Sequence, residues 1–233
     1  MAIHALFAEA PKQFSQDYVG RIRTGTQLNS RPMALETFRV TTGDPMLADQ
    51  LAHTYGGTVA EWDTSSDESL EVITETNTLD VQLKSLRSEY VLWTRNGLAR
   101  SCDGVTQRDE TPCHCKTQYG SQREWNQASK QGLACSPSVE STMTLDALSD
   151  SGLFTFKSQS KTLANGDPAW KKDKMIEGEV YSPPINDVEA LLAQLDHSAA
   201  ATLQLVGVSY TTKTGQPVSY MKPVITIKQK AVV

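Results

Sequence analysis

The sequence predicts a strand-rich α+β fold, mostly antiparallel, with about three helices. Three observations carry that expectation. Apolar and polar residues alternate in many short runs separated by Gly, Asn, Asp and Pro, the pattern of half-buried strands joined by turns. Only three stretches combine helical spacing of apolar residues with recognisable caps. All four cysteines fall between positions 102 and 135, so one short stretch concentrates the sulfur chemistry of the chain.

Residues 1–20 are expected to form an N-terminal arm, because Leu6, Phe7, Phe14 and Tyr18 recur at mixed spacings without a clear period. The segment Gly20-Arg-Ile-Arg-Thr-Gly25 lacks the Gly-Lys-Ser/Thr of a phosphate-binding loop and any helix start behind it. It reads as a loop leading to Arg31-Pro32 and a strand over residues 36–42, with Phe38 and Val40 on one face. Asp44 and Pro45 are a cap and first-turn pair, and Leu47, Ala48, Leu51, Ala52 and Tyr55 share a helical stripe that Gly56-Gly57 stops. His53 lies off that stripe without a second metal-type ligand at a suitable offset, so it reads as a surface residue. Residues 58–62 predict a strand. Leu70 and Val72, with Leu79, Val81 and Leu83 beyond Thr76-Asn77, predict a β-hairpin, and residues 90–95 a further strand running towards Cys102.

Ser121-Gln-Arg-Glu124 is a capping box for a second helix, which runs to Gln131 and ends at Gly132. Residues 141–148 and 153–160 predict another hairpin around Asp150-Ser-Gly152. Asn165-Gly-Asp-Pro168 and the cluster Lys171, Lys172 and Lys174 read as an exposed loop or linker. A third helix is expected with Asn186 as cap, Glu189 three places later, and Val188, Leu191, Leu192 and Leu195 on one stripe. Two strands follow, 203–211 and 219–228, and Pro223 in the second marks an edge or a bulge. The expected organisation is an arm (1–20), a core (21–165) and a C-terminal lobe (166–233) of one helix and a strand pair, which can also belong to the core domain.

The cysteine spacing C-x10-C-x-C-x19-C places Cys113 and Cys115 on one short turn, with Cys102 and Cys135 arriving from either side. Four thiolates around one centre suit Zn²⁺ in a closed tetrahedral site, which holds structure and leaves no position for a substrate. The sequence therefore predicts a structural zinc on Cys102, Cys113, Cys115 and Cys135, with His114 able to replace one sulfur. Two other readings remain open: four small unlinked buried residues, or two disulfides. A bridge between Cys113 and Cys115 would close a strained, very small ring, so oxidation would pair each with a distant partner. No secretory leader precedes the first strand, which leads us to expect a reducing compartment.

Composition narrows the function classes. A hydrophobic content of 39% supports a buried core, and no run approaches the roughly 20 apolar residues of a membrane helix. A formal charge of -5 argues against a protein that grips nucleic acid by neutralising many phosphates. The four histidines, His4, His53, His114 and His197, accompany no nucleophile elbow. The acidic pairs Asp67-Glu68 and Asp109-Glu110 sit in polar loops, and no dinucleotide fingerprint or zincin helix is present. A metal-braced binding module is the stronger expectation, and an enzyme the weaker.

Several blocks carry a resemblance. They are Gly20-Arg-Ile-Arg-Thr-Gly25, Arg31-Pro-Met-Ala-Leu35, Phe38-Arg-Val-Thr-Thr42, Ala52-His-Thr-Tyr-Gly-Gly57 and Arg100-Ser-Cys-Asp-Gly104. They continue with Pro112-Cys-His-Cys115, Gly132-Leu-Ala-Cys135-Ser-Pro137 and, less clearly, Met221-Lys-Pro-Val-Ile225. Together they resemble the recombination directionality factors of temperate actinobacterial phages that use large serine integrases. The resemblance spans roughly residues 20–160.

It implies a non-catalytic protein of the bacterial host cytoplasm that binds the integrase and touches DNA only through it. It further implies a switch from attP × attB integration to attL × attR excision, with contact at the integrase's coiled-coil and zinc-bearing region. Phe7 and Phe14 of the arm, and Met221 near an edge strand, are the expected partner-binding residues, since exposed apolar groups and unpaired edges are natural docking sites. The competing expectation is a phage single-stranded nucleic-acid-binding or replication-accessory protein, for which four Trp and seven Tyr could supply stacking platforms.

Overall fold

Strand β5 (Thr78–Thr94), 17 residues long, is the spine of the molecule. The computed structural model describes residues 18–28, 31–64, 66–175, 177–212 and 214–228. In chain order the other elements are β1 (Tyr18–Leu28), β2 (Arg31–Thr42), α1 (Pro45–Tyr55), β3 (Val59–Glu61), β4 (Leu70–Ile73) and β6 (Gly97–Cys102). Then come α2 (His114–Gln118), α3 (Gln122–Lys130), β7 (Ser136–Leu145), a 3₁₀ turn (Asp146–Ser151), β8 (Leu153–Ser158), α4 (Lys161–Asn165) and α5 (Ala169–Lys172). The last three are α6 (Ile185–Gln194), β9 (Ala199–Thr211) and β10 (Pro217–Ile227).

The strands form one sheet in the order β10-β9-β5-β7-β8-β1-β2-β4-β3, with β6 also paired to β5. Every pairing is antiparallel except β1 with β8, so the strand-rich, mostly antiparallel expectation describes the sheet. Three longer helices, α1, α3 and α6, stand where the three helical patterns lie. Three short ones, α2, α4 and α5, carry too few turns to show a periodicity in the sequence.

Caps decide the helix starts. Asp44 accepts from the Met46 and Leu47 amides, which opens α1 and sets its stripe Leu47, Ala48 and Leu51 into the core. Ser121 accepts from the Glu124 amide at 3.3 Å while Glu124 accepts from the Gly120 amide at 3.0 Å, a reciprocal box at the head of α3. The expected Asn186 cap is corrected. Helix α6 starts two residues earlier, after Pro184, because the Pro183-Pro184 pair already fixes the entry backbone, and Glu189 accepts from Ser88 instead of closing a box.

Two further expectations are corrected. Residues 20–25 are not a loop but part of β1, held between β2 and β8. Gly20 permits this, since a Cβ there would stand 2.6 Å from the Thr41 carbonyl oxygen. The hairpin expected about Thr76-Asn77 does not form: β4 pairs with β2 and β3, and β5 with β7, β9 and β6. The buried Thr74 hydroxyl binds Phe38 and Thr76, which pins the end of β4 beside β2 and sends the chain across the sheet. The hairpin expected around residues 150–152 is present as β7 and β8, joined by the 3₁₀ turn.

The main core lies beneath the sheet, with Phe38, Phe154, Phe156, Leu79, Leu83, Leu203 and Leu192 fully buried, each contributing about 1.5–3 kcal/mol. Pro223 sits on β10, at one end of the strand order, as its missing N–H demands. Among the described residues no helix is long and apolar enough to cross a membrane. The arm expected over residues 1–20, with Phe7 and Phe14, falls outside the described residues apart from its last three positions, which belong to β1.

Candidate functional site: the cysteine module

Strand β5 outruns the main sheet. On one edge β9 pairs with residues 78–83 while β6 takes over residues 90–94, and on the other edge β7 runs along residues 81–91. At the far end Tyr90 therefore has Cys102 opposite it on one side and Pro137 on the other. That register brings the end of β6 and the beginning of β7 together, and with them Cys102 and Cys135.

Between these strands the chain makes an ordered excursion. Asp103 accepts from the amides of Val105 (2.7 Å) and Thr106 (2.6 Å), turning the backbone immediately after Cys102. The Cys113 amide donates to the Val105 carbonyl at 2.7 Å, so Cys113 returns beside Cys102 at the start of α2, and Cys115 follows in its first turn. Helix α3 lies over the group. Trp125 meets Tyr90 edge-on with ring centroids 5.8 Å apart, Ala128 is buried, and Ser129 hydrogen-bonds Ser136 at 2.7 Å.

The result is a second small core of Leu92, Cys102, Cys113, Cys115, Ala128, Ala134 and Cys135, flanked by Tyr90, Tyr119 and Trp125. All four cysteines are buried and unlinked, and all four line one cavity of about 430 Å³. Cys102 Sγ and Cys113 Sγ are 3.3 Å apart, and the Cys135 amide donates to Cys115 Sγ at 3.3 Å. Burial, then the hydrogen-bonding Cys113 thiol, pushes Cys102 up to about 11; burial and Cys115 push Cys135 up to about 12. Such thiols are poor nucleophiles at neutral pH. Among the described residues no group of three or more His, Cys, Asp or Glu is already arranged as an ion cage.

A carboxylate braces the same end of β5. Glu89 accepts from Ser101, from Arg108 at 2.9 Å and from Arg87 at 3.3 Å. Burial alone would raise its pKa, but these donors and charges outweigh burial and hold it below the usual carboxylate range.

Of the other expected residues, His114 is exposed and does not line the cavity. His53 and His197 are exposed elsewhere, so the described histidines assemble no site with the thiols. Met221 is half-buried against the main core, opposite Gly207, on β10. The lysine cluster is partly engaged, with Lys171 near Asp167 and Glu179.

Sequence reasoning missed the exposed apolar groups of this module. Trp93 is 57% exposed and faces Leu98, 39% exposed, directly across β5 and β6. Val105 and Leu133, each about 60% exposed, flank the cysteines three and two positions away. No local signal marked Trp93 and Leu98, since a strand pattern does not separate a protruding hairpin from a half-buried one.

A family model described as Gp3-like, recombination directionality factor-like, matches residues 19–166, from β1 through α4 and across the whole cysteine module. No solved structure matches the chain.

Proposed function

The chain belongs to the recombination directionality factor-like family, and from that premise we propose that it binds a large serine integrase and turns it from attP × attB integration to attL × attR excision. The observation that carries this is the family match over more than half of the chain. The protein is proposed to be non-catalytic, to work in the bacterial host cytoplasm, and to meet DNA through the integrase alone.

Charge supports indirect DNA contact. Three basic side chains of β1 and β2 are engaged within the fold: Arg21 and Arg23 share Glu68, and Arg39 pairs with Glu71. Trp62, which lies under the guanidinium groups of Arg23 and Arg39, is thereby occupied and presents no free stacking platform for a nucleobase. The net charge of -5 further disfavours the single-stranded nucleic-acid reading.

The contact surface we assign is the tip of the β5–β6 hairpin with Trp93 and Leu98, and its occupant is the integrase's coiled-coil region. A binder shifts the balance between two synaptic arrangements only by its difference in affinity for them. Turning a 1:99 preference into 99:1 requires about 5.5 kcal/mol of such difference. Clamping the coiled coils in the orientation that pairs attL with attR would supply it.

Recombination in vitro with purified cognate integrase tests the proposal. Adding the protein is expected to suppress attP × attB product and to permit attL × attR product. Unchanged direction at saturating protein would overturn it.

A further inference from the structure

The four cysteines belong to three separate pieces of backbone: the end of β6, the first turn of α2 and the residue before β7. They nevertheless converge, each of them buried, on the wall of one solvent-open pocket. We propose that Cys102, Cys113, Cys115 and Cys135 together bind one Zn²⁺ as a closed, purely structural centre. The proposal does not depend on the integrase reading.

The small size of the module suits a brace. Its fully buried core contains one leucine, two alanines and four cysteines, with Tyr90, Tyr119 and Trp125 only partly buried against it. Helices α2 and α3 have five and nine residues, shorter than the roughly 12–15 at which isolated helices become even marginally stable. Ordering the backbone from Cys102 to Cys135 costs conformational entropy, and a core of this size benefits from an additional tie. A metal supplies such a tie, because in small metallo-domains the free energy of metal binding is also folding free energy.

The donor set selects the ion. Four sulfurs are the soft tetrahedral set that zinc prefers, and they leave no open position for a reacting molecule. Zn–S bonds of about 2.3 Å place sulfurs about 3.8 Å apart. The Cys102–Cys113 separation of 3.3 Å thus has to open by roughly half an ångström, which the adjoining cavity allows. Amides already point at two sulfurs, from Gly104 to Cys102 and from Cys135 to Cys115. Such donors hold ligating thiolates in place. One Zn²⁺ enters as four thiol protons leave, so the centre carries a net charge of minus two, partly balanced by Lys116 at the cavity wall.

The test is elemental analysis of the full chain purified under reducing conditions, followed by exchange to Co²⁺. We expect about one zinc per chain and the strong sulfur-to-cobalt charge-transfer absorption of a four-thiolate tetrahedral site. In Cys113→Ser that absorption should fall by about a quarter or the site should empty, whereas His114→Ala should leave it unchanged. Metal-free protein with four reactive thiols, two disulfides by mass spectrometry, or a spectrum that shifts in His114→Ala would each overturn the four-sulfur centre.

Discussion

Asn77 and Leu205 exchange two hydrogen bonds across the sheet. The Leu205 amide donates to the Asn77 carbonyl at 2.8 Å, and Asn77 Nδ2 returns a bond to the Leu205 carbonyl at 3.1 Å. This pair extends the β5–β9 ladder past its last register pair, Thr78 with Gln204, and fastens the C-terminal strand pair to the family-matched part of the chain.

Replacing Asn77 with Ala should therefore remove one bond and leave the carbonyl of fully buried Leu205 short of a partner, at a cost of about 1 kcal/mol. Urea denaturation checks this. A lower midpoint with an unchanged slope is the expected outcome, because the compactness of neither end state is altered.

Stability should also fall in acid, and Asp167 should account for part of the loss. Its carboxylate accepts from Lys222 at 2.8 Å and from the Ser182 amide at 3.1 Å, and Lys222 is itself buried. Burial would raise the Asp167 pKa, but the Lys222 and Ser182 bonds with the charges of Lys222 and Lys171 outweigh it and set it below 3.8. A depressed folded-state value means that the contribution is fully present above the unfolded-state pKa, near 3.8, and is lost as pH drops through the folded one. Thermal unfolding measured from pH 7 down to pH 2 should show a shallower acid loss in Asp167→Asn than in the parent. At pH 7, Asp167→Ala should cost about 1–3 kcal/mol, since it leaves buried Lys222 without its partner across a part-buried contact.

How much of this was legible in the sequence depended on whether the signal was local. Asp44, Ser121 and the glycines behind their helices act within a few residues, and α1 and α3 lie where those signals place them. Strand partners are a different matter. Nothing near Thr76 records that Thr74 will be held by Phe38 or that Asn77 will be claimed by Leu205, so alternation on both sides of a turn looked like a hairpin. Glycine misled in the same way: Gly20 and Gly25 read as loop punctuation, yet at Gly20 the missing side chain is what lets β1 lie against Thr41 and Phe154. The convergence of the cysteines was readable from their spacing. Trp93 and Leu98 were not readable as an exposed pair, because a half-buried strand and a protruding one share the same alternation.

That exposed pair gives the sharpest test of the proposed integrase contact. Trp93 and Leu98 lie side by side at the tip of the hairpin, outside both cores, so their truncation removes little that the fold uses. Trp93→Ala with Leu98→Ser should leave the unfolding midpoint essentially in place, with a change within about 0.5 kcal/mol. In an interface the same two side chains would act as an apolar anchor, and a Trp of that kind costs about 2 kcal/mol or more when truncated. The double variant should thus bind integrase about thirtyfold more weakly, read by titration calorimetry, and need correspondingly more protein to drive attL × attR recombination. Undiminished affinity in a variant of unchanged stability would move the contact away from this hairpin, while leaving the directionality proposal to stand or fall on the recombination assay.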